Sequence, residues 1–169
     1  MRRVGLGFVA LAAAAGVVVA VNAPAGAAKP LSKAALHNAA GEQIGIVVFK
    51  GYEHEASRVK VELELPADAP GLGAYHGLHV HTVGVCEAPF TSAGGHWSRD
   101  ADSAHGHHTG DLPSVLVAED GTASAEFDTQ RFDVAELLDE DGSAVVLHAG
   151  LDNFGNVPLE EGKYEDPNN

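Results

Sequence analysis

A single cysteine, Cys86, stands in 169 residues, so no disulfide can form within the chain. Basic residues are scarce: 10 Lys and Arg oppose 24 Asp and Glu, a formal net charge of −14 at pH 7. That balance makes the chain a poor partner for nucleic acid or for an anionic membrane surface. It also repels an anionic substrate unless a local positive site compensates. There are no internal repeats, and no segment of the folded part is periodic over the length of a long helix, which excludes an α/β fold.

The one long apolar run, Val4 to Val21, follows Arg2 and Arg3 and precedes Ala25 and Ala27 in A-x-A spacing. A charged start, an apolar centre and a small-residue end form the pattern of a secretory leader. Residues 1–27 are therefore expected to be a signal peptide and residues 28–169 the mature domain, exported to the periplasm, the cell envelope or the medium. The alternative is an uncleaved anchor, since the run is nearly long enough to span a bilayer; its Ala, Gly and Val content and its small-residue end favour cleavage. Losing two arginines and no acid takes the formal charge from −14 to −16. Export implies an oxidising compartment, in which one odd cysteine means an intermolecular bond, a free thiol or a missing partner.

The rest reads as short strands with long loops. In "SRVKVELELP", Val59, Val61, Leu63 and Leu65 alternate with Arg58, Lys60, Glu62 and Glu64, a period of two with one wet face. "IGIVVFKG" is a more buried strand, and the polar "YEHEA" between the two predicts a hairpin. "KAALHNAAGEQ" gives a first strand ending at Gly41, and "GLHVH" and "SAVVLHAG" give two more. "LPSVLVAED" and "TASAEFD" flank Asp120-Gly121, a hairpin signal. "DVAELLDEDG" predicts one or two helical turns capped by Asp133, with Glu136 three residues on. About seven strands joined mostly by short turns predict an all-β sandwich or barrel of antiparallel strands. Residues 82–111 and 149–169 are left as long irregular segments, and such segments are usually functional or disordered.

Histidine is concentrated in the first of these. His79 and His81 lie two apart in a strand, so both imidazoles project from one face while Leu78 and Val80 point to the other. "GGHWSRDADSAHGHHTGD" adds His96, His105, His107, His108 and Asp111. Neutral imidazoles and a carboxylate suit zinc and copper, and three histidines with one aspartate complete a tetrahedral zinc site. A solvated, loosely chelating loop is the simpler alternative. His148 ends the apolar stretch "AVVLH" and would sit at the mouth of the fold.

The ordered set "GLHVHTVGVC", "SAGGHW", "HGHHTGDLP" and "VVLHAGLDNFG" resembles the copper–zinc superoxide dismutase family over nearly all of residues 33–158. The resemblance implies a Greek-key antiparallel β-barrel or sandwich of eight strands, about seven of which are found here. It implies dismutation of superoxide to oxygen and hydrogen peroxide at copper, beside a structural zinc. His79, His81, His96 and His148 match the copper ligands. His96, His105, His108 and Asp111 match the zinc ligands, with His96 bridging the two metals and acting in the catalytic cycle. Asp152 matches the carboxylate that links a copper histidine to a zinc histidine behind the metals. His76 matches a structural histidine, whereas His107 has no ligand counterpart; His37 and His54 are expected to be solvated.

Two departures from the family pattern stand out. Trp97-Ser98-Arg99 replaces the usual Phe-Asn-Pro, which alters the turn beside the zinc ligands. The segment ending R-x-x-C-G, with its arginine near copper and its second cysteine, does not follow "YEDPNN". Arg131, in the connection between the sixth and seventh strands, is not a replacement on sequence grounds. Without that disulfide about 2–4 kcal/mol is forgone, and a missing strand opens sheet edges. The expected function is superoxide dismutation. The alternatives are a weak or inactive exported metal-binding protein of the same fold, or a truncated copy of the enzyme. Oligomeric state is not legible, and a membrane is expected to be met only through an uncleaved leader.

Overall fold

The computed structural model describes residues 14–20, 31–51, 56–101, 103–152 and 154. Among them are eight strands: β1 (Ala14–Ala20), β2 (Leu31–His37), β3 (Gln43–Gly51), β4 (Ser57–Glu64), β5 (Ala74–His81), β6 (Val115–Val117), β7 (Thr122–Thr129) and β8 (Ala144–Leu151). Two short 3-10 helices, Thr91–Ala93 and Val134–Leu138, interrupt the connections. All seven strands expected from the sequence form. The first of them, β2, stops at His37 rather than Gly41, because residues 38–42 close a turn around the Asn38 side chain. The "YEHEA" turn and the A-x-A site fall largely or wholly outside the described residues.

Every pairing is antiparallel, in the order β6-β5-β8-β1-β2-β3-β4-β7. The outermost strands, β6 and β7, are joined by the tight turn at Asp120-Gly121, where Ala118 N donates to Thr122 O (2.8 Å). Two strands at opposite ends of the order can share such a turn only if the sheet curls round on itself, and this encloses the core. Gly121 sits at φ +86°, and a Cβ there would run into the Leu65 carbonyl oxygen, so the turn needs glycine. The eighth strand, β1, comes from the apolar run read as a leader. It lies between β2 and β8, pairing Ala15 with both His37 and Val146.

Alternation fixes which side chains face inward. On β4, Val59, Val61 and Leu63 are buried and Lys60, Glu62 and Glu64 are exposed. Ile44, Val47 and Phe49 of β3, Leu78 and Val80 of β5, and Val145 and Leu147 of β8 join them in one core. Phe132, Val134 and Leu137 close one end of that core, and Phe132 packs against Phe49 with ring centroids 6.2 Å apart. The predicted capping box forms: Asp133 accepts from Ala135 N, and Glu136 accepts from Asp133 N (2.8 Å).

β5 departs from simple alternation, because His76 to His81 are buried on both faces. β6 pairs only with Ala74, Tyr75 and His76. Beyond it the long loop docks onto the free edge of β5: Val80 N donates to Gly110 O (2.9 Å), Trp97 N to Val80 O (2.7 Å) and Leu112 N to Leu78 O (3.2 Å). Gly110 lies so close to this edge that a Cβ there would meet the Val80 carbonyl oxygen. The loop is thus laid over the histidine face of the strand.

Candidate metal centre

Strand period places His79 and His81 on the outer face of β5. β8 runs antiparallel beside it, with Leu78 opposite Leu147, so His148 emerges on the same outer face. The docked loop then delivers the remaining groups. Short antiparallel bridges set Asp111 against His79 and His96 against His81. Rings of three segments converge: His79 stacks on His96 at 4.1 Å between centroids, and His81, His105, His108 and His148 lie 5.0–5.4 Å from the His96 ring.

Two groups of donor atoms result, each within 4.8 Å of one another. One is His96, His105, His108 and Asp111; the other is His79, His96 and His148. His96 is common to both. Its Nδ1 lies 2.9 Å from Asp111 Oδ1, while its Nε2 is buried and has no hydrogen-bond partner. A buried imidazole nitrogen with no partner is costly in an apolar setting and fits a nitrogen that serves a metal. His81 stands beside the second group, its Nε2 3.4 Å from His148 Nε2.

Neighbouring carbonyls select the tautomers. His81 Nδ1 donates to Gly94 O (2.7 Å), which leaves Nε2 as the basic nitrogen facing His148. His108 Nε2 donates to Ser103 O (3.1 Å), which leaves Nδ1 toward Asp111. Fixing one ring nitrogen by a carbonyl is the usual way to present the other to a metal. Asp111 is itself held, its Oδ2 accepting from Gly106 N (2.7 Å) and His108 N (3.0 Å).

Electrostatics keep the donors in their ligating forms. Burial pushes His81 and His96 down to about 4, the Gly94 carbonyl partly opposing this at His81 and the Asp111 bond at His96. Burial also holds His148 well below its ordinary value, helped by the surrounding histidines. At Asp111 burial alone would raise the carboxyl, but hydrogen bonds and charge from His79 and His96 outweigh it and keep it well below the usual range. Neutral imidazoles around one carboxylate form a donor set for zinc or copper.

A family model described as copper/zinc superoxide dismutase (SODC) matches residues 43–167. The chain belongs to the copper/zinc superoxide dismutase family. It is 35% identical over 135 residues to a Cu-Zn superoxide dismutase of Mycolicibacterium paratuberculosis, covering 71% of this chain and 56% of that one. A Cu-Zn superoxide dismutase of Caulobacter vibrioides is 34% identical over 132 residues, covering 70% and 72%. The chain spans about half the length of the mycobacterial relatives, 56% in one and 40% in that of Mycobacterium tuberculosis. Among solved structures, a SOD-like protein from Bacillus subtilis superposes with a TM-score of 0.62 at 28% identity, covering 74% of this chain and 91% of that chain. The cofactors of the family are copper and zinc.

The remaining sequence expectations can now be placed. His76 lies under the site, its ring spanning His148 O and Gly71 O at 2.9 Å each. His107 is exposed and outside both donor groups, and His37 is half-buried at the end of β2; His54 lies outside the described residues. Asp152 is buried and lines a pocket of about 270 Å³ together with His79 and His105; its side chain bonds to Ser114 Oγ and to Phe154 N (2.7 Å). The altered turn is absorbed by Trp97, which packs edge-on against Phe132 at 6.0 Å. Cys86 is half-buried against Phe90, Ala93, Ala144 and Val146, and burial pushes its thiol up to about 11. Among the described residues no helix is long and apolar enough to cross a membrane.

The sequence left backbone partners of the site unread, among them the carbonyls of Gly94, Ser103 and Gly71. Backbone acceptors carry no side-chain signature. The nearest available signal was the Gly-Gly before His96, which marks a backbone able to turn toward a ligand.

Proposed function

We propose that this chain dismutes superoxide to oxygen and hydrogen peroxide as an exported enzyme, with residues 1–27 as leader and residues 28–169 as the working domain. His79, His81, His96 and His148 hold copper. His96, His105, His108 and Asp111 hold zinc. The reading is carried by one observation: two donor groups share the buried ring of His96, one nitrogen on the Asp111 side and the other without a hydrogen-bond partner.

Bound copper supplies the one-electron chemistry that superoxide needs in both directions. The chain's residues do the rest. Gly94 and Ser103 carbonyls orient His81 and His108. Asp111 orients His96 and ties two backbone N–H groups to the same carboxylate. In the metal-free chain His96 Nδ1 donates to Asp111 and Nε2 is bare; Nε2 would be the atom to take up a proton where Nδ1 serves a metal instead. Asp152 lines the same pocket as His79 and His105 and would serve as the carboxylate that steadies ligands of both groups.

The net charge of −14 favours a second reading, a metal-binding protein of this fold with little turnover, since an anionic substrate is repelled at long range. The deciding experiment loads the purified chain with copper and zinc and measures metal content together with superoxide consumption. Two metals per chain and turnover well above that of free copper are expected. Full loading with turnover no better than free copper would sink the enzymatic reading and leave the metal-binding one.

A further inference from the structure

The geometry points to Arg131 as the positioning residue of the zinc-side loop, an inference that rests on the metal-site reading above. Arg131 leaves the chain just after β7, yet its guanidinium reaches the histidine loop. Nη1 donates to His108 O (2.7 Å) and Nη2 to Gly106 O (3.0 Å). The two acceptors lie on the turn that carries His105 and His108, both members of the zinc-type donor group. A planar fork with two parallel N–H groups suits a pair of carbonyls, whereas a lysine presents a single point charge.

The base of this fork is rigid. Arg131 N donates to Thr129 Oγ1 (3.2 Å), and the next residue, Phe132, is fully buried between Phe49 and Trp97. Arg131 O accepts from Arg99 Nη1 (2.9 Å). Arg99 Nε in turn pairs with Glu136 Oε1 (2.7 Å), and Glu136 closes the capping box on Asp133. Arg99 also belongs to the loop, its backbone N bonded to Thr109 Oγ1 (3.0 Å). The capped 3-10 helix and the core behind it therefore hold both ends of the histidine turn through two arginines. The turn needs such support. Gly106 stands at φ +88° in open space, and glycine-rich loops with few buried apolar contacts open easily. Supporting contacts of this kind change metal affinity by roughly 10–100-fold.

Among the described residues, Arg131 is also the only Lys or Arg lining the pocket of about 270 Å³ that contains His79, His105, Asp111 and Asp152.

The test uses the full chain and the variants Arg131→Gln and Arg131→Lys. Zinc alone is loaded, and its release to a chelator is timed. The melting temperature and the amide exchange of residues 104–111 are measured without metal. Release about 10–100-fold faster in Arg131→Gln is expected, with partial recovery in Arg131→Lys. The metal-free melting temperature should change little, and exchange in the turn should quicken. Equal release rates, or a metal-free melting temperature that drops as far as the zinc-loaded one, would overturn the inference, the latter by showing that Arg131 serves the whole fold. If the parent chain takes up no zinc, the metal reading falls by itself; the positioning role is then judged by exchange in the turn, and unchanged exchange in Arg131→Gln overturns it.

Discussion

His96 Nδ1 and Asp111 Oδ1 lie 2.9 Å apart, and both side chains are almost fully buried. The same carboxylate is 3.4 Å from His79 Nδ1 and accepts two backbone N–H groups from the loop. Asp111 thus ties His79 on its strand, His96 and the loop turn to one point.

Asp111→Asn should loosen that point without changing its size. An amide has one acceptor oxygen and no charge, so the two backbone donors and His96 cannot all be satisfied. A loss of about 1–3 kcal/mol in the metal-free chain is expected. Zinc affinity should fall further, because an anionic ligand is removed. Chemical denaturation and chelator competition measure the two effects separately.

His96→Ala should affect both metals at once. If His96 serves both donor groups, the variant loses a ligand on each side, and copper and zinc contents should fall together. Superoxide turnover should drop by on the order of 100-fold or more, since even outer contacts to ligands are worth ~10–100-fold. Loss of only one metal, by elemental analysis, would contradict the shared role.

Acid should destabilise the metal-free chain. His81 and His96 are held down at about 4 in the fold by burial, against about 6.5 when exposed. The unfolded chain therefore binds more protons between these values, and stability rises with pH across that window. Their contribution is fully present above about 6.5 and is lost as the pH falls toward 4. Melting temperatures measured from pH 7 to pH 4 should decline through this range, and the decline should shrink in His81→Gln.

Phe132→Ala should cost about 3–5 kcal/mol. The ring is fully buried and touches both Phe49 and Trp97, so its loss opens a cavity where the core meets the histidine loop. Denaturant unfolding gives the cost. Zinc release should also quicken, because Trp97 N and O both bond the segments that carry the ligands.

Deleting residues 1–27 removes β1 from between β2 and β8. Two strand edges that were paired are then exposed. Faster amide exchange at 31–37 and 144–147, compared with the full chain, is expected, with a lower melting temperature. Identical exchange in both chains would show that β1 adds nothing to the sheet in solution.

Local pattern carried a large share of the structure. The period of two in β4, the Asp120-Gly121 turn and the Asp133–Glu136 capping box are set by neighbours in sequence, and each forms as read. His79 and His81 share a face for the same reason, since side-chain direction along a strand depends only on the pleat. Residue chemistry alone pointed to a borderline metal, because imidazole and carboxylate donors suit few others.

What the pattern could not decide depends on contacts between distant segments. Nothing local says that His148 will lie 3.4 Å from His81, that Gly94 and Ser103 carbonyls will choose the tautomers, or that His108 and not His107 turns inward. The connection bearing Arg131 looked remote from the site, yet the curl of the sheet brings it against the carbonyls of Gly106 and His108. The apolar run read as a leader also supplies β1, because extended backbone pairs with whatever unpaired edges the sheet presents. Strand period and donor chemistry were settled by sequence because they are local. The shared ring of His96 and the contact of Arg131 with the histidine turn were decided by tertiary structure, because sheet order and loop docking alone determine which atoms meet.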